Sequence, residues 1–363
     1  MPANIAHMLI CNKAVKILQK DGGEYQQFID ILDSKIYKPF LNLGSVGPDL
    51  SYYGSQLSGL YNLIVKKTDK PLGIDGRSYY LHSKDPNKFP LTLTELTWRD
   101  TRWEEQDWKD EDFPKFAFTC GYLSHVAADQ IFHPMVNEIA GPYYRKGESR
   151  SIHRECEIYQ DVALFYSLYD SEDFIKRKFN RWADINPHSH VNTEEWFRYF
   201  IQRAFAECHS VYPGEQEIEN WVDGLLFTLR IMKLLLSPYR KAYKEYKKSG
   251  LEGEKFKKYF SGYMDLFFNA VELTSIYWKA LFELYEPTDN VLEISNPMRG
   301  RFLNIVRGAD LSSPLEKNIL QKAKDALLST EDDRLKRLVA SAINPLDQKK
   351  VMEIKQEDVG KFG

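Results

Sequence analysis

The run Gly121-Tyr-Leu-Ser-His125-Val-Ala-Ala-Asp129-Gln-Ile-Phe-His133-Pro-Met-Val-Asn137 decides how the rest of the chain is read. His125, Asp129 and His133 stand at steps of four. Each step turns an α-helix about 40° past a full circle, so the three share one face on successive turns. Val126, Ala127, Ala128, Ile131 and Phe132 between them are small or apolar, as in a helix packed on several sides. Imidazole and carboxylate groups in such surroundings need partners, because desolvating them unpaired is costly. A bound cation is one such partner, and a hydrogen-bonded core network is another. The run by itself leaves both open.

At 363 residues the chain is long enough for one large domain with an extension. Its formal net charge of −3 excludes a general positive field for nucleic acid or anionic lipid, leaving only a local patch to consider. Cys11, Cys120, Cys156 and Cys208 are scattered in apolar contexts with no CxxC pair, which reads as buried free thiols. The first residues lack a basic start, an apolar core and a small-residue cleavage site. No run approaches the roughly eighteen apolar residues of a membrane span. These features predict a cytoplasmic protein with no transmembrane segment. Nothing in the sequence bears on oligomeric state.

In chain order, Asn4 is placed to cap a first helix that runs to the break at Asp21-Gly22-Gly23. His7 in its first turn, taken alone, reads as a core or capping histidine rather than a ligand. A second helix is predicted from Glu24 to Lys38. Leu43 to Gly54 carries two glycines and a proline around Asp49, which predicts a tight loop. Asp49 is there an Asx-turn or cap residue, or a ligand on a loop that its apolar flanks turn inward. Leu57 to Lys67 is predicted helical, and 68–90 a long irregular loop carrying His82. Further helices are predicted from Leu93 to Trp108, from Pro114 through the central run, and from Ile152 onward. His153, Glu157 and Asp161 share a face of the last of these. That face is a salt-bridged surface stripe unless the apolar Cys156, Ile158 and Val162 bury it.

Beyond 165 the spacing predicts only helices: one capped by Asn192 with Glu195, a long one from Trp221 to Ser249, and another from Tyr259 to Tyr285. Glu286 to Asn290 reads as a linker, and Ser313 and Thr330 as caps of later helices. Residues 352–363 are polar and read as a frayed end. The chain shows no internal repeat and no strand alternation, so the fold class is all-α. His188 and His190 read as a polar loop rather than a chelate, His209 as structural, and Arg240 to Lys258 as a solvated basic helix rather than a lipid-docking one.

Taken in order, His7, Asp49, His82, His125-x3-Asp129-x3-His133 and His153-x3-Glu157 resemble the zinc-dependent phospholipase C family, whose fold is shared with fungal single-strand nucleases. The resemblance covers about the first 260 residues. It implies a multi-helix phospholipase C-like bundle, a catalytic domain over 1–286 and a helical C-terminal extension over 287–363. It also implies two or three Zn²⁺ ions. Carried over by position, Asp49, His82 and His125 hold one zinc, and Asp129 bridges it to a second held with His7. His133, His153 and Glu157 form a third site. Nitrogen and carboxylate donors suit zinc.

The implied activity is phosphodiester hydrolysis by a metal-activated water attacking phosphorus, with Asp49 and Asp129 the catalytic residues and Asp49 the base. A phospholipid leads the candidate substrates, and no stable nucleic-acid partner is expected. A nuclease on the same fold and a metal-binding module without turnover are the alternatives. Two departures stand out. Secreted members complete the second site with an N-terminal Trp, and no Trp precedes His7 here. The His125-to-His133 spacing is eight, against the usual ten, which predicts a shifted third site.

Overall fold

The computed structural model describes residues 4–21, 23, 25–54, 76–83, 86–102, 108, 110–141, 148–169, 173–185, 193–285, 294–306 and 318–328. Among them the chain forms α1 (Asn4–Asp21), α2 (Gln26–Asp33), α3 (Lys38–Gly44) and a 3-10 helix (Gly47–Tyr53). Then follow α4 (Gly76–Ser83), α5 (Lys88–Arg102), α6 (Asp112–Ala140) and α7 (Glu148–Leu168). After two 3-10 turns come α8 (Thr193–His209), α9 (Glu215–Ile231), α10 (Pro238–Ser249) and α11 (Glu254–Phe260). The last are α12 (Tyr263–Tyr285), α13 (Asn296–Ile305) and α14 (Ile319–Leu328). No strand occurs among the described residues, and the fold is all-α.

Helix α6 is the axis. It packs against α1, α3, α5, α7, α12 and the 3-10 helix, which is why it is buried from Phe116 through His133 without a break. Two glycines let α3 cross it at backbone contact. A Cβ on Gly121 would stand 2.1 Å from the Leu41 carbonyl oxygen, and one on Gly44 would stand 2.1 Å from that of Phe118. On its far side α12 is tied by Trp278, whose indole N–H donates to the Cys120 carbonyl at 2.7 Å, and by Tyr277, whose hydroxyl donates to Gln130. Phe28, Phe116, Phe282 and Tyr285 pack ring against ring between α2, α6 and α12. Cys11, Cys120 and Cys156 are buried free thiols, and Cys208 is free and partly buried.

Several predicted elements are corrected. The helix from Glu24 to Lys38 ends at Asp33, because Pro39 starts a new helix, α3, after a turn. The segment around Asp49 is not a loop: Pro48 sits in the first turn of the 3-10 helix, where its missing N–H costs nothing. His82 stands on α4 rather than in a long loop. Helix α5 begins at Lys88 and α7 at Glu148, each earlier than predicted. The long helix from Trp221 to Ser249 is two helices. Ser237 caps the second through its hydroxyl, which accepts from Tyr239 N–H, and Pro238 takes its first position. Likewise Gly262, at φ +70°, separates α11 from α12.

The cap of α1 is also different from the expectation. The Asn4 side chain accepts the Tyr53 hydroxyl at 2.5 Å, while the Ile5 and Ala6 N–H groups donate to the carboxylate of Asp161 on α7. A tertiary acid replaces the local cap. The helix predicted over 57–67, the caps at Asn192, Ser313 and Thr330, the linker at 286–290 and the chain end lie outside the described residues. Helices α13 and α14 pack on α12, with Phe302 and Ile305 buried.

Candidate metal centre

Five elements deliver the eight predicted residues to one place. They are α1 with His7, the 3-10 helix with Asp49, α4 with His82, α6 with His125, Asp129 and His133, and α7 with His153 and Glu157. His7, Asp49, His125 and Asp129 have no exposed surface, and the other four are buried too. His82 and His133 retain a little solvent contact and mark where solvent reaches the cluster.

The backbone sets the orientation of two rings. His125 Nδ1 lies 2.9 Å from the Ser45 carbonyl, and His82 Nδ1 lies 2.6 Å from that of Ser78. A carbonyl only accepts, so each Nδ1 carries the proton and each Nε2 turns inward. The two Nε2 atoms meet at 3.3 Å. Asp49 Oδ1 lies 3.2 Å from His82 Nε2, and Asp129 Oδ2 lies 3.4 Å from His82 Nε2 and 3.3 Å from His125 Nε2. Asp129 also reaches His133 Nε2 through Oδ2 and His7 Nε2 through Oδ1, both at 3.5 Å. The His7 ring stacks on that of His125, with centroids 4.0 Å apart. Beside them His153 Nε2 meets Glu157 Oε1 at 2.8 Å, and His133 faces His153 edge-on.

Three ligand groups result, each with its donor atoms within 4.8 Å of one another: His7, His125 and Asp129; Asp49, His82 and His125; His133, His153 and Glu157. The shorter spacing along α6 does not separate the third group. Helical steps of four keep His133 one turn from Asp129, and α7 brings His153 and Glu157 to it. Asp161, one turn beyond Glu157, stays outside all three groups and holds the start of α1 instead. His209 stacks on Phe89 as a packing residue, away from the three groups. His188 and His190 lie outside the described residues.

The charges are arranged around Asp129. Burial opposes its ionisation, but the facing His133 and His125 rings, with its contacts to His125 and His82, hold its carboxyl well below the usual range. Burial lowers His82 too, yet Asp129 and Asp49 outweigh it and raise the ring to about 10. In the metal-free protein His82 is therefore held as a cation beside Asp129 and Asp49. Burial lowers His7 and His153 and pushes Glu157 well above its usual value. Burial thus works against charge on both partners of the short His153–Glu157 contact.

The residues fit a metal. Both ring nitrogens of His7 and all four carboxylate oxygens of Asp49 and Asp129 are buried without a partner in hydrogen-bond geometry among the described residues. Such atoms are rare unless something else satisfies them. Four donors about 2.0–2.1 Å from one tetrahedral zinc stand roughly 3.3 Å apart, the spacing at which His82 Nε2 meets Asp49 Oδ1, Asp129 Oδ2 and His125 Nε2, and His125 Nε2 meets Asp129 Oδ2. What reading the sequence missed is the outer layer. Any residue has a carbonyl, so nothing marked Ser45 and Ser78 as the acceptors that orient His125 and His82.

A family model described as zinc dependent phospholipase C matches residues 6–214. No curated protein and no solved structure matches the chain.

Proposed function

This chain belongs to the zinc-dependent phospholipase C family, and we propose that it is a zinc-dependent phosphoric diester hydrolase acting first on phospholipids. The observation that carries this reading is the convergence of two imidazole Nε2 atoms and two carboxylate oxygens in a buried position, with contacts of 3.2–3.4 Å. Asp49, His82, His125 and Asp129 would hold one zinc, Asp129 and His7 would contribute to a second, and His133, His153 and Glu157 would hold a third. Bound zinc would supply Lewis acidity, drawing charge from phosphoryl oxygens and making water acidic enough to attack near neutral pH.

The chain's own residues do the rest. Asp49, whose two oxygens lack hydrogen-bond partners, takes a proton from the attacking water. The water oxygen bonds to phosphorus, the bond from phosphorus to the leaving alkoxide breaks, and that alkoxide is reprotonated. A phosphomonoester and an alcohol result. Asp129 keeps its negative charge because four imidazoles face it, so it stays a carboxylate throughout. The wall of α6 excludes bulk water from the far side, and the substrate approaches past His82 and His133, the edge that solvent touches.

The test is elemental analysis of purified protein together with a panel of phosphodiesters: phosphatidylcholine, a water-soluble choline phosphodiester and single-stranded DNA. At least two zinc ions per chain and turnover of the choline esters are expected. Protein prepared with zinc available that carries none sinks the metal reading. Cleavage of DNA alone replaces the lipase reading by a nuclease, and full zinc without turnover replaces it by a binding module.

A further inference from the structure

Helices α9 and α10 are joined by Met232 to Ser237, and the turn carries three consecutive leucines outward. Leu234 is 57 %, Leu235 73 % and Leu236 99 % exposed among the described residues. This is an ordered tip. Leu234 N–H donates to the Ile231 carbonyl and Ser237 N–H to that of Leu234, while Ser237 and Pro238 start α10 at once. Three adjacent leucines held in water cost free energy unless another surface covers them.

The charge around the turn indicates what that surface is. From Arg230 to Lys248 there are seven cations and a single carboxylate, in a chain with formal net charge −3. Lys241, Lys244 and Lys248 share the outer face of α10 and are exposed, while Lys247 on its flank lies over the Tyr166 ring. The one acid, Glu245, turns toward α7 and accepts the Tyr159 hydroxyl at 2.6 Å. Glu252, further along, is taken by Lys257. Arg230, Lys233, Lys241, Lys244 and Lys248 have no ion-pair partner among the described residues. Within Arg230 to Lys248 the one carboxylate is therefore engaged away from the lysines.

We propose that this turn and the cationic face behind it are a docking site for an anionic lipid surface. The leucines enter the acyl region and the lysines meet the headgroup phosphates, the combination that amphipathic membrane anchors use. A protein partner would more often be met by aromatic and polar anchors around the apolar tip than by a ring of lysines. The site is tied to the metal centre. Tyr239, three residues past Leu236, donates its hydroxyl to Asp161 at 2.8 Å, and Asp161 caps α1 just ahead of His7. The step from docking to faster lipid hydrolysis rests on the phosphodiesterase reading; docking itself does not.

The full chain is sedimented with vesicles of phosphatidylcholine alone and of equimolar phosphatidylcholine and phosphatidylserine, and its mass is measured by analytical ultracentrifugation. Wild type should bind the anionic vesicles, more weakly as salt rises. The double variant Leu235→Ser/Leu236→Ser should lose binding at least about tenfold. Lys241→Glu/Lys244→Glu/Lys248→Glu should lose the preference for phosphatidylserine. Both should keep the wild-type circular dichroism and the wild-type rate on a water-soluble phosphodiester. No vesicle binding by wild type, or equal binding by the leucine variant, overturns the proposal. So does a dimer that the leucine variant dissolves without any vesicle binding. Vesicle binding as described in a protein that hydrolyses no phosphodiester upholds the docking site and removes the hydrolase reading.

Discussion

Asp129 Oδ1 lies 3.5 Å from His7 Nε2 across the contact between α6 and α1, while its other oxygen meets His82, His125 and His133. One carboxylate thus touches four imidazoles from three helices. Only a group shared between cations, or between a cation and protons, is stable in such a position.

Asp129→Asn keeps the shape of this group and removes its charge. The variant is expected to lose one or more zinc ions by elemental analysis and more than about 10²-fold in phosphodiester hydrolysis, a ligand effect larger than outer-layer losses. Its circular dichroism should match wild type, because the apolar faces of many helices carry the stability. Full metal content with wild-type turnover would disprove the bridging role.

Zinc should displace protons on binding. In the metal-free protein His82 is raised to about 10 because Asp129 and Asp49 outweigh its burial, and Glu157 is pushed up by burial. A histidine raised from about 6.5 gives stability that is complete below that value and lost as pH rises through about 10. At neutral pH the His82 proton competes with metal, so apparent zinc affinity rises with pH. Calorimetric titration of zinc in buffers of different ionisation enthalpy should show release of at least one proton. A buffer-independent heat would contradict this.

Asp161 offers a second pH signature. Burial raises it to about 7, against the pull of the Tyr239 hydroxyl and the Ala6 and Ile5 N–H groups. The folded state then keeps a proton that the unfolded chain releases near about 3.9, so this contribution is complete below that value and lost as pH rises through about 7. Asp161→Asn keeps an acceptor for α1 and does not ionise. Comparing melting temperatures of the metal-free proteins, the variant should gain on wild type as pH rises across that window. A constant difference would show that Asp161 does not titrate there. Zinc content should change far less than in Asp129→Asn.

Gly121→Ala tests the crossing of α3 and α6. Its Cβ would fall 2.1 Å from the Leu41 carbonyl oxygen, a backbone atom with no freedom to swing away. Destabilisation of at least about 1–3 kcal/mol in denaturant unfolding is expected. Because Ser45, the acceptor for His125, directly follows α3, zinc affinity should fall too. Wild-type stability in this variant would mean the helices do not cross this closely.

How much of this was legible in advance follows from the range over which each signal acts. Steps of four along a helix are local, so the shared face of His125, Asp129 and His133 and that of His153 and Glu157 could be read directly, as could the absence of strands. The order of ligands along the chain pointed to the family as well. Proline and glycine punctuation was read too weakly in places: Pro39, Pro48 and Pro238 start helices where a continuing helix or a loop was expected.

Only the tertiary structure decided the rest, because it depends on atoms distant in sequence. The carbonyls of Ser45 and Ser78 fix which nitrogens of His125 and His82 face inward, and a carbonyl leaves no mark in a sequence. Asp161 takes the place of Asn4 as the cap of α1 because α7 happens to pass there. Glu245 lies among the lysines of α10 in sequence, and packing turns it toward Tyr159, while Glu252 pairs with Lys257 at the surface. Composition counts those acids equally. The direction of Glu245, set by which helix face is buried, leaves the lysines of α10 exposed beside the leucine turn without an ion-pair partner at Lys241, Lys244 or Lys248 among the described residues.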